Sequence, residues 1–448
     1  MIEKKLKMAA PLAVVLITAP ALADVASPSL DGLKGEIDQL TSEVAKLKND
    51  QSAIRLNGYY RMQGTAESLD ETDDNSSTWV DQRLRMKVTG DLNENVTVVW
   101  YGEYDAPFGE KGSKTVAGSG GKLSSDGVGI ETKNAYVDFR LPNTDWKVRT
   151  GIQGYGFGKY ESFVTDDDMN GISFLGNIDM VSLSGGWFKW DEGERDSSDD
   201  VDFYVLNGEL NPNDNLSYGF TGGSINNRNE DAINGTAART DDIYLGSYVD
   251  YNYGDIAYSG SVLYKIASGM DSNASDGEAF MLNLYAKKHW TGGYIKVHGI
   301  YIPADDSSNG TDRFAENNSG YELNNSNLMI FGTDSYYNNG SQGGKAVYDA
   351  AYQGYGLLGL MLSGDQTLED DYYVKYGAGY FRVADDAPQS ASQANGSNLG
   401  AELAAQFGKK FAGIYDLSLR GSYGFMGDFY QESSEDTYKI VAMLNVAF

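Results

Sequence analysis

The chain has 448 residues, of which 54 are glycine, 32 tyrosine and 8 proline, with no cysteine and a formal net charge of −29. This composition is typical of many short strands joined by tight turns, and the lack of cysteine excludes a disulfide framework. The acidic balance argues against nucleic acid as a partner, because phosphate binding needs clustered cations.

The start of the chain predicts a cleaved signal peptide. Lysines within the first seven residues precede an apolar run at 8–19 and the small-residue triplet Ala21-Leu22-Ala23. This is the pattern of a secretory signal, and the run is shorter than the ~20 residues of a membrane-spanning helix. We expect a signal peptide at 1–23, a second segment at 24–52 and the main domain at 53–448.

The spacing of apolar residues in 24–52 predicts a short periplasmic coiled coil. These residues recur at alternating spacings of three and four, as at the a and d positions of a heptad repeat. Because an isolated helix of this length is marginal in water, we expect the segment to need an oligomer. A single amphipathic helix packed on the barrel mouth is the alternative. The seam residues are Leu30, Leu33, Ile37, Leu40, Val44 and Leu47.

From Ile54 onward the hydrophobic period changes to two. The first strand alternates apolar side chains with polar ones such as Arg55 and Arg61, and the next strand does so with Arg83 and Arg85. A strand with lipid on one face and water on the other requires this alternation. The pattern predicts an all-β fold, a transmembrane antiparallel β-barrel.

Short turns alternate with long polar loops along the barrel sequence, as in outer-membrane barrels with periplasmic turns and extracellular loops. We expect about 18 strands, with 16 or 20 as alternatives, and an even number places both ends of the barrel on the periplasmic side. The apolar run 328–331 leaves room for an extra hairpin. The expected long loops are 105–130, 225–240, 267–278, 303–345 and 385–397.

The final strand has one apolar face that includes Tyr438 and Ile440 and ends at Phe448. It resembles the terminal strand of outer-membrane proteins, in which a last aromatic residue and alternating apolar positions are read by the barrel-assembly machinery. The alternative is an edge strand of a soluble sheet, which would be open to aggregation.

The chain resembles the Gram-negative porins. Asp81–Asn95, an arginine-rich strand running into a Leu-Asn-Glu-Asn turn, is similar to the second and third strands of many such proteins, and Arg149–Gly154 is similar to a recurrent later strand. The resemblance implies outer-membrane lipid and lipopolysaccharide as surroundings, small hydrophilic solutes as cargo and no cofactor. A coiled coil ahead of the barrel resembles the sugar-specific porins with an N-terminal extension, which implies a homotrimer. No ladder of aromatic residues suited to a sugar slide is evident, so sugar specificity is not carried over.

Strand alternation also predicts which charged residues line the pore. A basic wall of this kind selects anions, or creates a transverse field against carboxylates of an inward-folded loop, either 105–130 or 303–345. In the alternative, the cations lie near the rims and pair with lipopolysaccharide phosphates or nearby carboxylates. The predicted pore-lining residues are Arg55, Arg61, Arg83, Arg85, Lys87, Arg140, Lys147, Arg149 and Lys439, with Glu103 and Asp138.

We therefore expect a porin for passive diffusion of ions and small hydrophilic solutes, with a preference for anions. A barrel that sheathes a partner protein, such as an electron-transfer cytochrome, is the main alternative, and a surface adhesin or receptor is a second one. The chain has 2 histidines and no cysteine, so we expect neither an enzyme nor a metal site.

Overall fold

The computed structural model describes residues 53–68, 76–109, 130–157, 159–160, 164–192, 199–228, 240–269, 276–305, 314, 323, 326–332, 344, 346–384, 396–430 and 436–448. The predicted signal peptide and the predicted coiled-coil segment lie outside these residues. So does most of the predicted loop 105–130.

Eighteen strands form the fold, and their inner faces position the candidate site. They are β1 (Ala53–Ser68), β2 (Ser77–Asn93), β3 (Val96–Pro107), β4 (Glu131–Arg140), β5 (Lys147–Gly156), β6 (Asp166–Ile178), β7 (Val181–Asp191), β8 (Val201–Asn213), β9 (Leu216–Asn227), β10 (Thr240–Tyr253), β11 (Ile256–Gly269), β12 (Gly277–Trp290), β13 (Gly293–Ile302), β14 (Leu357–Thr367), β15 (Tyr372–Arg382), β16 (Asn398–Phe411), β17 (Tyr415–Met426) and β18 (Thr437–Ala447).

The strands form one 18-stranded sheet in which each strand pairs with its sequence neighbours and β1 also pairs with β18. The pairing of β1 with β18 is antiparallel, with Met62 opposite Leu444. The sheet therefore closes into an antiparallel barrel, which confirms the barrel part of the predicted fold, with 18 strands among the described residues. Closure leaves no free sheet edge to aggregate.

The possible hairpin around 328–331 is not formed. The described residues 326–332 contain no strand, and Leu328, Met329, Ile330 and Phe331 are all buried. An apolar run of this length reads equally well as a strand or as a buried segment, and periodicity does not separate the two. Among the described residues, two short helical turns occur in connections, at Ala346–Ala351 and Glu369–Asp371.

The outer face of the barrel is apolar. In β14, Leu358, Leu360 and Leu362 are exposed, while the alternate residues Met361 and Ser363 are buried. This period of two is what a strand between lipid and an interior requires. Among the described residues, no helix has the length and apolar character to cross a membrane.

The interior contains a large apolar cluster, here called the inner cluster. Its buried members come from β6 to β16 and from connecting segments. Phe157, in the connection after β5, packs on Phe203 of β8 and Tyr244 of β10, with 5.6 Å between ring centroids in both cases. Phe331, in the connection after β13, stacks on Phe381 of β15 at 5.5 Å. Two connections therefore fold into the barrel and pack against its inner wall.

Candidate functional site: the charged inner wall of β1 to β5

The inner faces of β1 to β5 form a charged surface, here called the charged wall. On β1, Arg61, Gln63 and Thr65 are buried, whereas Met62 between them is exposed. The same alternation directs Arg83 and Arg85 of β2 inward. None of the described members of the inner cluster lies on these strands, although Tyr155 near the end of β5 packs against it.

Two arginines of β2 share the carboxylate of Glu103, which lies opposite Arg85 on β3. Arg85 donates to Glu103, and the Nε of Arg83 lies 3.3 Å from the same carboxylate oxygen. The Nη2 of Arg83 also lies 2.6 Å from Oδ2 of Asp105. Glu103 is only 4% exposed, so its charge is balanced by these guanidinium groups rather than by bulk water.

A second cluster lies on β4 and β5. Arg149 donates to both oxygens of Asp138, with Nε to Oδ1 at 2.6 Å and Nη2 to Oδ2 at 3.0 Å. The Nζ of Lys147 lies 3.5 Å from the same carboxylate. The guanidinium carbon of Arg149 lies 3.8 Å from the ring centroid of Tyr136, a cation–π contact. The bidentate pair and the ring together fix the orientation of Arg149.

Three tyrosines share the charged wall with these arginines. The guanidinium carbon of Arg85 lies 5.9 Å from the ring of Tyr59 and 6.0 Å from the ring of Tyr101. With Tyr136, they form an aromatic component that the sequence analysis missed. Strand alternation places all three on the faces that carry the arginines, and this is the signal by which they could have been found.

Basic residues continue across the barrel seam. Arg61 of β1 is fully buried, and Lys439 of β18 lies 3.0 Å from Glu67 of β1. Arg420 of β17 is 2% exposed and also faces inward, between Ser418 and Ser422. The sequence analysis did not include Arg420, although outward-facing Leu419 on the same strand indicates its orientation.

The remaining predicted cations lie apart from the two clusters. Arg55 is near the start of β1, where it is exposed and pairs with Asp91. Arg140 ends β4 opposite Lys147 and is exposed. Lys87 lies opposite Tyr101 of β3. The structure thus groups Arg83, Arg85 and Glu103, and separately Lys147, Arg149 and Asp138.

One of the two loops expected to fold inward has described residues inside the barrel. Within 303–345 the described residues include Phe314, Leu323 and 326–332, and Phe314, Leu323 and Phe331 belong to the inner cluster. The inward connection after β5, with Phe157 and Tyr160, was not predicted.

The residues of the predicted assembly signal lie on β18 or directly after it. Ile440 and Phe448 are exposed on the outer face, and Tyr438 lies opposite Ser68 of β1. The N–H of Phe448 donates to the carbonyl of Gly58 at 3.0 Å, and the N–H of Gly58 donates to the carbonyl of Phe448 at 2.8 Å. The main chain of Phe448 therefore continues the sheet while its ring faces outward.

The charged wall offers ion pairs rather than a metal-binding geometry. In the part of the chain that the structure describes, no group of three or more histidine, aspartate or glutamate residues is placed to hold a metal ion. The paired guanidinium and ammonium groups are suited to contact anions.

No protein-family model matches the chain, and no curated protein matches it. Solved structures do. Acinetobacter baumannii OccAB1 has a TM-score of 0.56 at 12% identity, over 89% of this chain and 99% of that one. Pseudomonas aeruginosa OccK2 (OpdF), solved in complex with glucuronate, has a TM-score of 0.54 at 10% identity, over 88% and 98%. Pseudomonas aeruginosa OpdK, solved with vanillate, has a TM-score of 0.53 at 10% identity, over 88% and 99%. Another structure describes OpdK as an outer membrane protein. The chain therefore has the fold of these outer-membrane barrels.

Proposed function

We propose that the chain is an outer-membrane porin that passes ions and small hydrophilic solutes along the charged wall, with a preference for anions. One observation carries the proposal. The buried members of the inner cluster come from β6 to β16 and from connections, whereas none lies on β1 to β5, whose inner faces carry polar and charged side chains such as Arg61, Gln63 and Glu103. A charged wall beside the apolar inner cluster is a surface along which hydrated solutes can pass.

The preference for anions follows from the charge balance of the two clusters. Their four cations, Arg83, Arg85, Lys147 and Arg149, are paired with three carboxylates, Glu103, Asp105 and Asp138. The excess cation gives the two clusters a positive local potential although the whole chain is acidic. The vanillate in OpdK and the glucuronate in OccK2 are both carboxylates, which supports the proposal.

Liposome swelling tests the channel itself. Liposomes that contain the purified, folded protein should swell in isosmotic solutions of small neutral sugars, more slowly as the sugar becomes larger, because diffusion through a pore depends on solute size. Liposomes with heat-denatured protein are the control. Absence of swelling, together with absence of conductance in planar bilayers, would remove the porin proposal.

The structure does not favour the sheath alternative. A barrel that encloses a partner protein needs an interior free of its own connections. Here Phe157 and Phe331, from two different connections, pack on the inner wall and occupy interior space.

We also propose that residues 24–52 form a periplasmic coiled coil that joins three copies of the chain. The heptad seam supports this, as does the even number of strands, which places both ends of the barrel on one side. Chemical cross-linking of the full chain should give a trimer, and deletion of 24–52 should reduce that species. An unchanged cross-linking pattern would contradict the role of this segment.

A further inference from the structure

The segment 326–332, here called the inner segment, lies inside the barrel against β15 to β18. Leu328 and Phe331 are fully buried, and Met329 and Ile330 are nearly so. Met329 packs with Val441 and Met443 of β18. The inner segment therefore replaces the strands as the interior lining on this side of the barrel.

A single buried carboxylate holds the main chain of the inner segment. Glu402 of β16 is fully buried. The N–H of Met329 donates to its Oε1 at 2.6 Å, the N–H of Phe331 donates to its Oε2 at 2.8 Å, and the N–H of Ile330 lies 3.1 Å from both oxygens. Ser422 of β17 donates its hydroxyl to the same carboxylate. Successive N–H groups that converge on one anion form a nest, and charge-assisted hydrogen bonds of this kind are strong.

The start of the inner segment is also fixed. The side-chain amide of Asn327 donates to the carbonyl of Gly364 at 3.1 Å and to that of Tyr376 at 3.2 Å. Asn327 has φ of 60°, a left-handed conformation that asparagine tolerates. The hydroxyl of Ser326 donates to the carbonyl of Gly332 at 3.2 Å and closes the segment into a compact turn.

Two glycines of β15, Gly377 and Gly379, leave space for the inner segment. A Cβ atom at Gly377 would lie 2.8 Å from the carbonyl oxygen of Ser326, and one at Gly379 would lie 2.7 Å from a methyl carbon of Leu328. Glycine at these inward positions of β15 allows the close approach, as is usual where a backbone packs against a strand. The Glu402 carboxylate, the hydrogen bonds of Asn327 and the space at the two glycines therefore all favour the same position of the inner segment.

We propose that Glu402 is the positioning residue that holds the inner segment against the wall and thereby sets the width of the channel. The inference rests on the proposed function. Without the carboxylate, three main-chain N–H groups lose their acceptor in an apolar interior, where unpaired polar groups are unfavourable. The inner segment then leaves its position against the wall, and the open cross-section increases.

The experiment compares Glu402→Ala and Glu402→Gln with the wild type. Glu278→Ala, which changes an exposed glutamate near the start of β12, is the matched control. Folding is checked by the gel-mobility change on heating that folded barrels show. Single-channel conductance is measured in planar bilayers. Because the chain has no cysteine, Ile330→Cys introduces a single thiol whose reaction with a small water-soluble reagent reports release of the inner segment.

In the Glu402→Ala background we expect the thiol introduced by Ile330→Cys to change from protected to reactive and the mean conductance to rise about two-fold, since conductance follows the open cross-section. A thiol that stays protected in a folded Glu402→Ala barrel would overturn the positioning role. A reactive thiol with unchanged conductance would overturn the claim about channel width.

Two further outcomes need separate treatment, a Glu402→Ala variant that does not fold and a wild type that does not conduct. If Glu402→Ala does not fold, Glu402→Gln decides, because it keeps the volume and one acceptor oxygen but places an amide donor against N–H groups. We expect it to show an intermediate thiol reactivity, and full protection would overturn the proposal. If the wild type does not conduct, the porin proposal fails, while thiol protection still decides whether Glu402 holds the segment.

Discussion

Lys439 and Glu67 form an ion pair across the seam of the barrel, with 3.0 Å between Nζ and Oε2. The two residues are register partners in the pairing of β18 with β1. Their side chains are 4% and 15% exposed, so the pair is largely removed from water. A buried pair that loses one partner leaves an uncompensated charge, which makes seam closure sensitive to either residue.

We expect Lys439→Met to destabilise the folded barrel by about 3–5 kcal/mol, the usual cost of breaking a buried ion pair. The measurement is the temperature at which the folded gel band disappears. Lys288→Met is the control, because Lys288 pairs with Asp255 at 3.6 Å with both side chains more than half exposed, and exposed pairs contribute little. Equal transition temperatures for the two variants would contradict the prediction.

Strand alternation and turn chemistry were sufficient to predict the barrel. Clusters such as 211–215 and Gly254-Asp255 fall at the observed turns after β8 and β10. These properties are local, since each depends on residues within one strand or one turn.

What the sequence did not predict depends on non-local packing. The buried position of Leu328–Phe331 was not predicted, because an apolar run has no period that separates a strand from a buried segment. Glu402 is an isolated acid between Gly400 and Ala404, and its role requires the N–H groups of residues more than 70 positions away. Tyr160 enters the barrel because Gly246, which has no side chain, leaves space for its ring. The sequence around either residue gives no sign that the two are in contact.

Gly246→Val is expected to displace the inward connection after β5. A Cβ at Gly246 would lie 2.4 Å from the hydroxyl of Tyr160, which is fully buried. Overpacking of this kind costs about 1–3 kcal/mol, so we expect lower thermal stability and a higher conductance.

Gly222→Val is the matched control for this change. Gly222, on the neighbouring strand β9, has open space around its Cβ position. The same substitution there should leave conductance unchanged. Equal effects of the two glycine variants would show that Tyr160 does not depend on the space at Gly246.

Glu103→Gln is expected to strengthen the preference for anions. The change removes the carboxylate shared by Arg83 and Arg85, which raises the positive potential of the charged wall. The ratio of chloride to potassium permeability should increase, and more so at low salt, because salt screens the added potential. Glu278→Gln serves as the control, and an equal ratio in both variants would argue against a role for Glu103 in the pore.

Phe448→Ala is expected to reduce assembly in cells without lowering the stability of protein that has folded. The ring of Phe448 is exposed on the outer face, while its main chain pairs with Gly58. The variant should therefore refold in detergent like the wild type, yet give less folded barrel in the membrane fraction. Phe411→Ala, also exposed and outside β18, is the control. A loss of refolding in detergent would indicate a packing role instead of an assembly signal.

Under the proposed function, solutes pass along the charged wall and its arginines select them. The most direct measurement is the reversal potential in a potassium chloride gradient, compared between the wild type and the double variant Arg83→Glu, Arg85→Glu, with Lys288→Glu as the control for a change of charge elsewhere. We predict an anion-selective reversal potential for the wild type and the control, and a shift to the cation-selective sign in the double variant. A double variant that conducts with an unchanged reversal potential would contradict the claim.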